Sequence, residues 1–103
     1  MPLLRSGLAT FHELGDTDGV AGSLELLGES AAADEPARGA LLLLAARSIR
    51  ERENLALRAI DESRADELFT RIAEALTSEQ LETARTDAAG MDMEAAVAYA
   101  LAE

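Results

Sequence analysis

His12 and Glu13 stand side by side near the N-terminus, and a histidine beside a carboxylate is the smallest unit that ligates a metal or moves a proton. The chain has no second histidine and no cysteine, so a metal site would have to gather its remaining ligands from scattered carboxylates. The expected role of the pair is solvated helix surface, with no metal. Asp16-Thr17-Asp18-Gly19 opens like a calcium loop, but the twelfth position, where such a loop needs Glu, is Leu27. Helix capping is its expected role. Ser23, Ser30, Ser48, Ser63 and Ser78 supply hydroxyls, yet no Gly-x-Ser-x-Gly turn exposes one and only His12 could serve as base, so hydrolase chemistry is not expected. Tyr99, the sole tyrosine, is read as a packing residue with its ring inward and its hydroxyl at the rim rather than as a catalytic acid.

Arg47, Arg50, Arg52, Arg58 and Arg64 form the basic concentration of the chain. Helical spacing pairs Arg47 with Glu51, which favours a solvated ion-pair face over an anion site. The 9 basic side chains are all Arg and face 20 acidic ones, for a formal net charge of -11. Lysine chemistry is therefore excluded, and polyanions such as nucleic acid are repelled. The absence of cysteine removes disulfides, thiolate zinc sites and thiol nucleophiles. The longest fully apolar run, Ala40 to Ala46, is far short of the roughly 20 residues that cross a bilayer, and Met1-Pro2-Leu3-Leu4-Arg5 does not read as a secretory signal. The expected setting is the cytoplasm, without membrane contact, cofactor or direct nucleic-acid binding.

The elements that position these residues read as helices throughout. Alanine and leucine dominate and aromatics are only 3%, which suits close helix packing and not a sheet. Leu4, Leu8, Phe11 and Leu14 repeat at helical spacing and stop at Gly15. Val20, Leu24, Leu27 and Ala31 form the stripe of a second helix, and Asp34-Glu35-Pro36 breaks it and starts a third. That third helix is apolar nearly all round and is expected at the centre. Asp61 or Ser63 is expected to cap a fourth helix carrying Leu68, Phe69, Ile72 and Ala73. Thr77-Ser78-Glu79-Gln80 matches a capping box, and Asp92 caps a last helix in which Val97, Ala98 and Leu101 pack. The fold class is all-α, with five to six helices in one domain: a leading helix over 1–14, a helical hairpin over 18–52 and C-terminal capping helices over 61–103.

The hairpin places small residues where two helices meet and large ones beside them: Leu27-Gly28 and Ala31, then Gly39, Leu43 and Ala46. That is the pattern of a tetratricopeptide repeat (TPR). From Leu8 to Leu101 the chain resembles the C-terminal end of the TPR-like region of large bacterial ATP-dependent transcriptional regulators of the LuxR and SARP types. The residues that carry the resemblance are Leu14-Gly15-Asp16, Gly19-Val20-Ala21, Leu24, Leu27, Pro36, Arg38, Leu42-Leu43, Ala45-Ala46 and Ile49-Arg50-Glu51, then Leu76, Leu81 and the run from Met93 to Leu101. The chain departs from the pattern at Arg85, where a tryptophan is common, and at Thr77, where a glycine usually starts the helix.

The resemblance implies a non-catalytic protein–protein interaction scaffold, a terminal segment of a transcriptional regulator or signalling protein. The ATPase and DNA-reading domains of such regulators are separate, and the chain holds no Gly-x-x-x-x-Gly-Lys phosphate loop. The expected partners are regulator domains or a second copy. Leu4, Leu8 and Phe11 are the expected docking surface, and a homodimer is the expected state of the isolated chain. The alternative is a small-ligand effector module with a pocket near Phe11, Phe69 and Tyr99.

Overall fold

The computed structural model describes the backbone of residues 2–53 and 59–102 and, outside 2–4, 59–63 and 65, their side chains. It is all-α among those residues, with six helices: α1 Pro2–Leu14, α2 Thr17–Ala31, α3 Pro36–Arg52, α4 Ala59–Glu74, α5 Ser78–Ala89 and α6 Met93–Leu101.

Polar and glycine residues set the helix ends. Gly15 takes φ 72°, the left-handed value that closes a helix cheaply only at glycine. Its N–H donates to the His12 carbonyl at 3.2 Å, and the N–H of Asp16 donates to the Phe11 carbonyl at 2.9 Å. Asp16 then caps α2, its carboxylate accepting from the Gly19 N–H at 3.0 Å. One two-residue link thus ends α1 and starts α2. Pro36 opens α3, where its missing N–H leaves nothing unsatisfied. Thr77 and Gln80 exchange side-chain and backbone hydrogen bonds at 3.0 and 2.9 Å in the capping box of α5. Asp92 caps α6 through the Ala95 N–H at 2.8 Å. The fourth helix is already running at Ala59, so Asp61 and Ser63 lie inside its first turns and are not its N-cap. Acidic residues are favourable in that turn, which is why the sequence signal there is real but displaced. The chain from 54 to 58, where part of the expected connection falls, lies outside the described residues.

α3 is central. Gly39 to Leu43, Ala45, Ala46 and Ile49 are all buried, with α2, α4, α5 and α6 packed around them. α2 and α3 approach through glycine: a Cβ added to Gly39 would lie 2.9 Å from the Gly28 carbonyl oxygen and 3.0 Å from the Ala32 Cα. Two cores result. The larger joins Leu8 of α1 to Val20, Leu24 and Leu27 of α2, Leu42 and Ile49 of α3, and Ala96, Val97 and Ala100 of α6. The smaller gathers Ala40, Leu43, Ile72 and Ala84, with Leu68, Phe69 and Leu76 half-buried at its edge. Ala98 is exposed, and Ala96 and Ala100 make the close contacts of α6 instead, because Val97 rather than Leu101 centres its buried face.

Candidate functional site

The residues with chemical potential are spent on holding helices together. His12 Nε2 lies 3.0 Å from Glu94 Oε1 and ties α1 to α6. Among the described residues no group of three His, Cys, Asp or Glu could hold a metal ion. Asp16 is a cap and Asp18 an ion-pair partner, so the Asp16-Thr17-Asp18-Gly19 sequence works as the α1–α2 link. Ser23 is buried on the core face of α2.

The arginines follow the same logic, with different partners from those that helical spacing suggests. Arg47 pairs with Asp66 of α4 at 2.9 Å, not with Glu51 one turn on. Arg64 meets Glu29 of α2 at 2.7 Å. Arg50 forks onto both oxygens of Glu25 at 2.9 Å and reaches Asp18 at 2.6 Å, clamping α3 to α2. Its guanidinium is held protonated even more firmly than usual, by the hydrogen bond to Glu25 against the opposing effect of burial, with Asp18 adding to it. Arg38 donates to the carbonyls of Tyr99, Ala100 and Ala102 at 3.3, 3.0 and 3.2 Å. It therefore caps the C-terminal end of α6, where a cation is favoured. Arg5 donates to the Leu101 carbonyl beside it. Of the expected ion-pair face, Arg47, Arg50 and Arg64 form ion pairs and all of them are interhelical; Arg52 donates instead to the Ser48 carbonyl of its own helix, and Arg58 lies outside the described residues.

Two features remain after this accounting. The first is apolar. Leu14 is 74% exposed, Leu26 50% and Phe11 36%, and all three belong to α1 and α2. Gly7, Phe11 and Leu14 follow one stripe of α1, and Gly19, Gly22 and Leu26 one stripe of α2. The Phe11 ring brings the stripes together by covering Gly19: a Cβ there would lie 2.5 Å from the ring. Among the described residues no atom lies within 4 Å of a Cβ added to Gly7, and only the Arg50 guanidinium, at 3.9 Å, approaches one added to Gly22. The surface between the bulky side chains is therefore shallow. Of the expected docking residues whose side chains are described, Phe11 stands at this surface and Leu8 does not. Leu8 is 0% exposed and belongs to the core, because α6 returns to cover the α1 face that the linear pattern leaves bare. The side chain of Leu4 lies outside the described residues. Leu14 and Leu26 carry the face; the sequence signal that could have found them is their place opposite the buried stripes of their own helices.

The second feature is a cavity of about 350 Å³ between α3 and α5, walled by Tyr99 of α6. Ala37 and Leu41 line it from α3, and Glu79, Thr83 and Asp87 from α5. The three aromatic residues of the expected pocket do not line this cavity together. Phe11 lies over Gly19 and Phe69 sits between the guanidinium groups of Arg47 and Arg85, 5.8 and 5.6 Å from its ring centre. Tyr99 alone of the three lines the cavity, with Arg38 4.8 Å from its ring centre. Their helices carry the three rings to different seams of the bundle. No family model, curated protein or solved structure matches this chain.

Proposed function

We propose that this protein is a non-catalytic, cytoplasmic interaction scaffold whose docking face is the α1–α2 surface of Phe11, Leu14 and Leu26. The observation that carries the reading is the collection of exposed large apolar side chains on two adjacent helices, with glycines between them. Exposed apolar area grouped in this way is what a partner covers, whereas single scattered leucines need no explanation. No helix among the described residues is long and apolar enough to cross a membrane. The resemblance to TPR-like regions of LuxR- and SARP-type regulators supports a place in such an assembly, the face then carrying a neighbouring helical element. The net charge of -11 favours a partner with a basic rim.

In isolation this face has only a second copy to meet. Light scattering behind size-exclusion chromatography tests it on the wild type and on a Leu14→Glu, Leu26→Glu variant. Both positions are exposed, so the variant keeps its helices, which circular dichroism verifies; Leu8→Glu would instead report on folding. The expected result is a wild-type mass that climbs from 10.9 kDa towards twice that value with concentration, and a variant that stays at 10.9 kDa. A wild type that remains monomeric into the millimolar range overturns the assignment of this face.

A further inference from the structure

α6 is the shortest of the six described helices, with 9 residues, and a helix of that length is not stable alone in water. It follows α5 through the Gly90-Met91-Asp92 link and packs on α1, α2 and α3. Its buried side chains, Ala96, Val97 and Ala100, are small, whereas α3 buries Leu41, Leu42, Leu43 and Ile49. Met93, Tyr99 and Leu101 add partly buried contacts to the larger core. Apolar stabilisation scales with the area covered, so α6 is held less firmly by its core face than the helices beneath it. Polar ties at both ends make up part of the difference. Arg38 of α3 donates to the carbonyls of Tyr99, Ala100 and Ala102 at 3.3, 3.0 and 3.2 Å and lies 4.8 Å from the Tyr99 ring centre. Arg5 of α1 donates to the Leu101 carbonyl, and at the other end His12 of α1 meets Glu94 at 3.0 Å. These ties are exposed or part-buried, so water can replace them when the helix lifts.

We infer that α6 is a latch that opens as one unit while α1 to α5 stay folded, with the Arg38 contacts holding it shut. The smaller core of Ala40, Leu43, Ile72 and Ala84 and the Gly28–Gly39 approach contain no residue of α6, so both persist when it lifts. Openings of this limited kind belong to elements held by few buried apolar groups and by solvent-accessible hydrogen bonds. The consequence falls on α1. Leu8 is 0% exposed in the closed state, and it stands three residues before the exposed Phe11 on the same helix. Opening therefore adds Leu8 to the apolar surface of α1, and α6 controls how much of that surface is presented. The use of the enlarged surface for docking rests on the reading of the α1–α2 face given above; the opening itself does not.

Native-state hydrogen exchange on the full chain tests the inference, with the amides of Val97 to Leu101 reporting on α6 and those of Leu42 to Ala46 on the centre of α3. The α6 amides are expected to exchange together, about tenfold or more faster than the α3 amides after correction for intrinsic rates. Their urea dependence is expected to be measurable but smaller than that of α3, because opening exposes only part of the core. Arg38→Gln removes contacts made only in the closed state and is expected to speed both sets about tenfold. Thr77→Ala weakens the cap of α5, which the open state keeps, so it is expected to speed the α3 amides about fivefold and leave those of α6 unchanged. Equal acceleration of both sets by Thr77→Ala would mean that α6 leaves only when the whole bundle unfolds, and overturns the proposal. So does exchange graded inward from Leu101 without urea dependence, which is end fraying, or an Arg38→Gln variant whose α6 amides keep their wild-type rates. Each of these outcomes is read without reference to whether the α1–α2 face associates.

Discussion

Replacing Gly39 by alanine sets two opposed effects against each other, and the structure decides the sign. Alanine is favoured over glycine inside a helix by about 1 kcal/mol, because the unfolded glycine has more freedom to lose. At Gly39 the new methyl carbon would stand 2.9 Å from the Gly28 carbonyl oxygen, 3.0 Å from the Ala32 Cα and 3.1 Å from the Ala32 Cβ. Two of these are backbone atoms, so no side-chain rotation relieves the contact and α2 must move away from α3. Overpacking of this kind costs about 1–3 kcal/mol, and here it also opens the seam on which the larger core rests. The net expectation is a loss of up to about 2 kcal/mol, or up to roughly 15 °C in Tm for a chain of this size. Gly7→Ala is the control: it is helical, nothing among the described residues lies within 4 Å of the added carbon, and the propensity gain stands alone, raising stability by about 0.5–1 kcal/mol. Thermal and urea unfolding followed by circular dichroism measure both. If Gly39→Ala is as stable as Gly7→Ala, the α2–α3 contact is not the close glycine crossing described, and the packing argument for the hairpin fails.

Three further outcomes follow from the same contacts. Leu8→Ala removes a fully buried side chain shared by α1, α2, α3 and α6 and is expected to cost about 2–5 kcal/mol in urea unfolding, whereas Leu14→Ala at 74% exposure stays within about 0.5 kcal/mol of wild type. Arg50→Ala leaves the half-buried Glu25 without its bidentate partner and is expected to cost about 1–3 kcal/mol; Arg64→Ala breaks an exposed pair and costs about 0.5 kcal/mol or less. Thr77→Ala removes one half of the α5 capping box and is expected to cost about 1 kcal/mol, with the earliest loss of amide protection at Gln80, whose N–H then lacks an acceptor.

The elements were legible wherever a local chemical rule fixed them. Gly15, Asp16, Pro36, the Thr77 capping box and Asp92 act within a few residues of themselves, so spacing alone locates the ends they set. The centrality of α3 was legible for a similar reason: a helix apolar on every side has no face left for water. The site was less legible because it depends on which helices meet. Leu8 and Phe11 belong to the same α1 pattern, yet α6 buries the first and leaves the second at the edge. Arg47 has a carboxylate one turn away in Glu51, but the nearer partner in space is Asp66 from another helix. The expected gathering of Phe11, Phe69 and Tyr99 failed for the same reason, since aromatic scarcity says that each ring matters and nothing about whether they share a seam. Glu79, Thr83 and Asp87 repeat at intervals of four along α5, but only the approach of α3 makes them the wall of a cavity.

The arginine accounting bears on the proposed docking face. Arg38 and Arg5 are turned onto the carbonyls that end α6, Arg50 lies between Glu25 and Asp18 with only 11% of its side chain exposed, and Arg47 and Arg64 bridge helices. Part of the positive charge thus lies at interhelical seams, while Glu79 and Asp87 have no ion-pair partner among the described residues. The field met by an approaching molecule is net acidic, as the formal charge of -11 requires. Association of a basic partner should therefore be fastest at low ionic strength and slow steeply as salt is added, whereas the packing of the helices, which rests on apolar burial and on the covered Arg50–Glu25 pair, should change little over the same range. Measuring association rate and Tm across one salt series separates the two. A Tm that falls in step with the association rate would mean that exposed ion pairs, and not the α2–α3 seam and its cores, hold the bundle together.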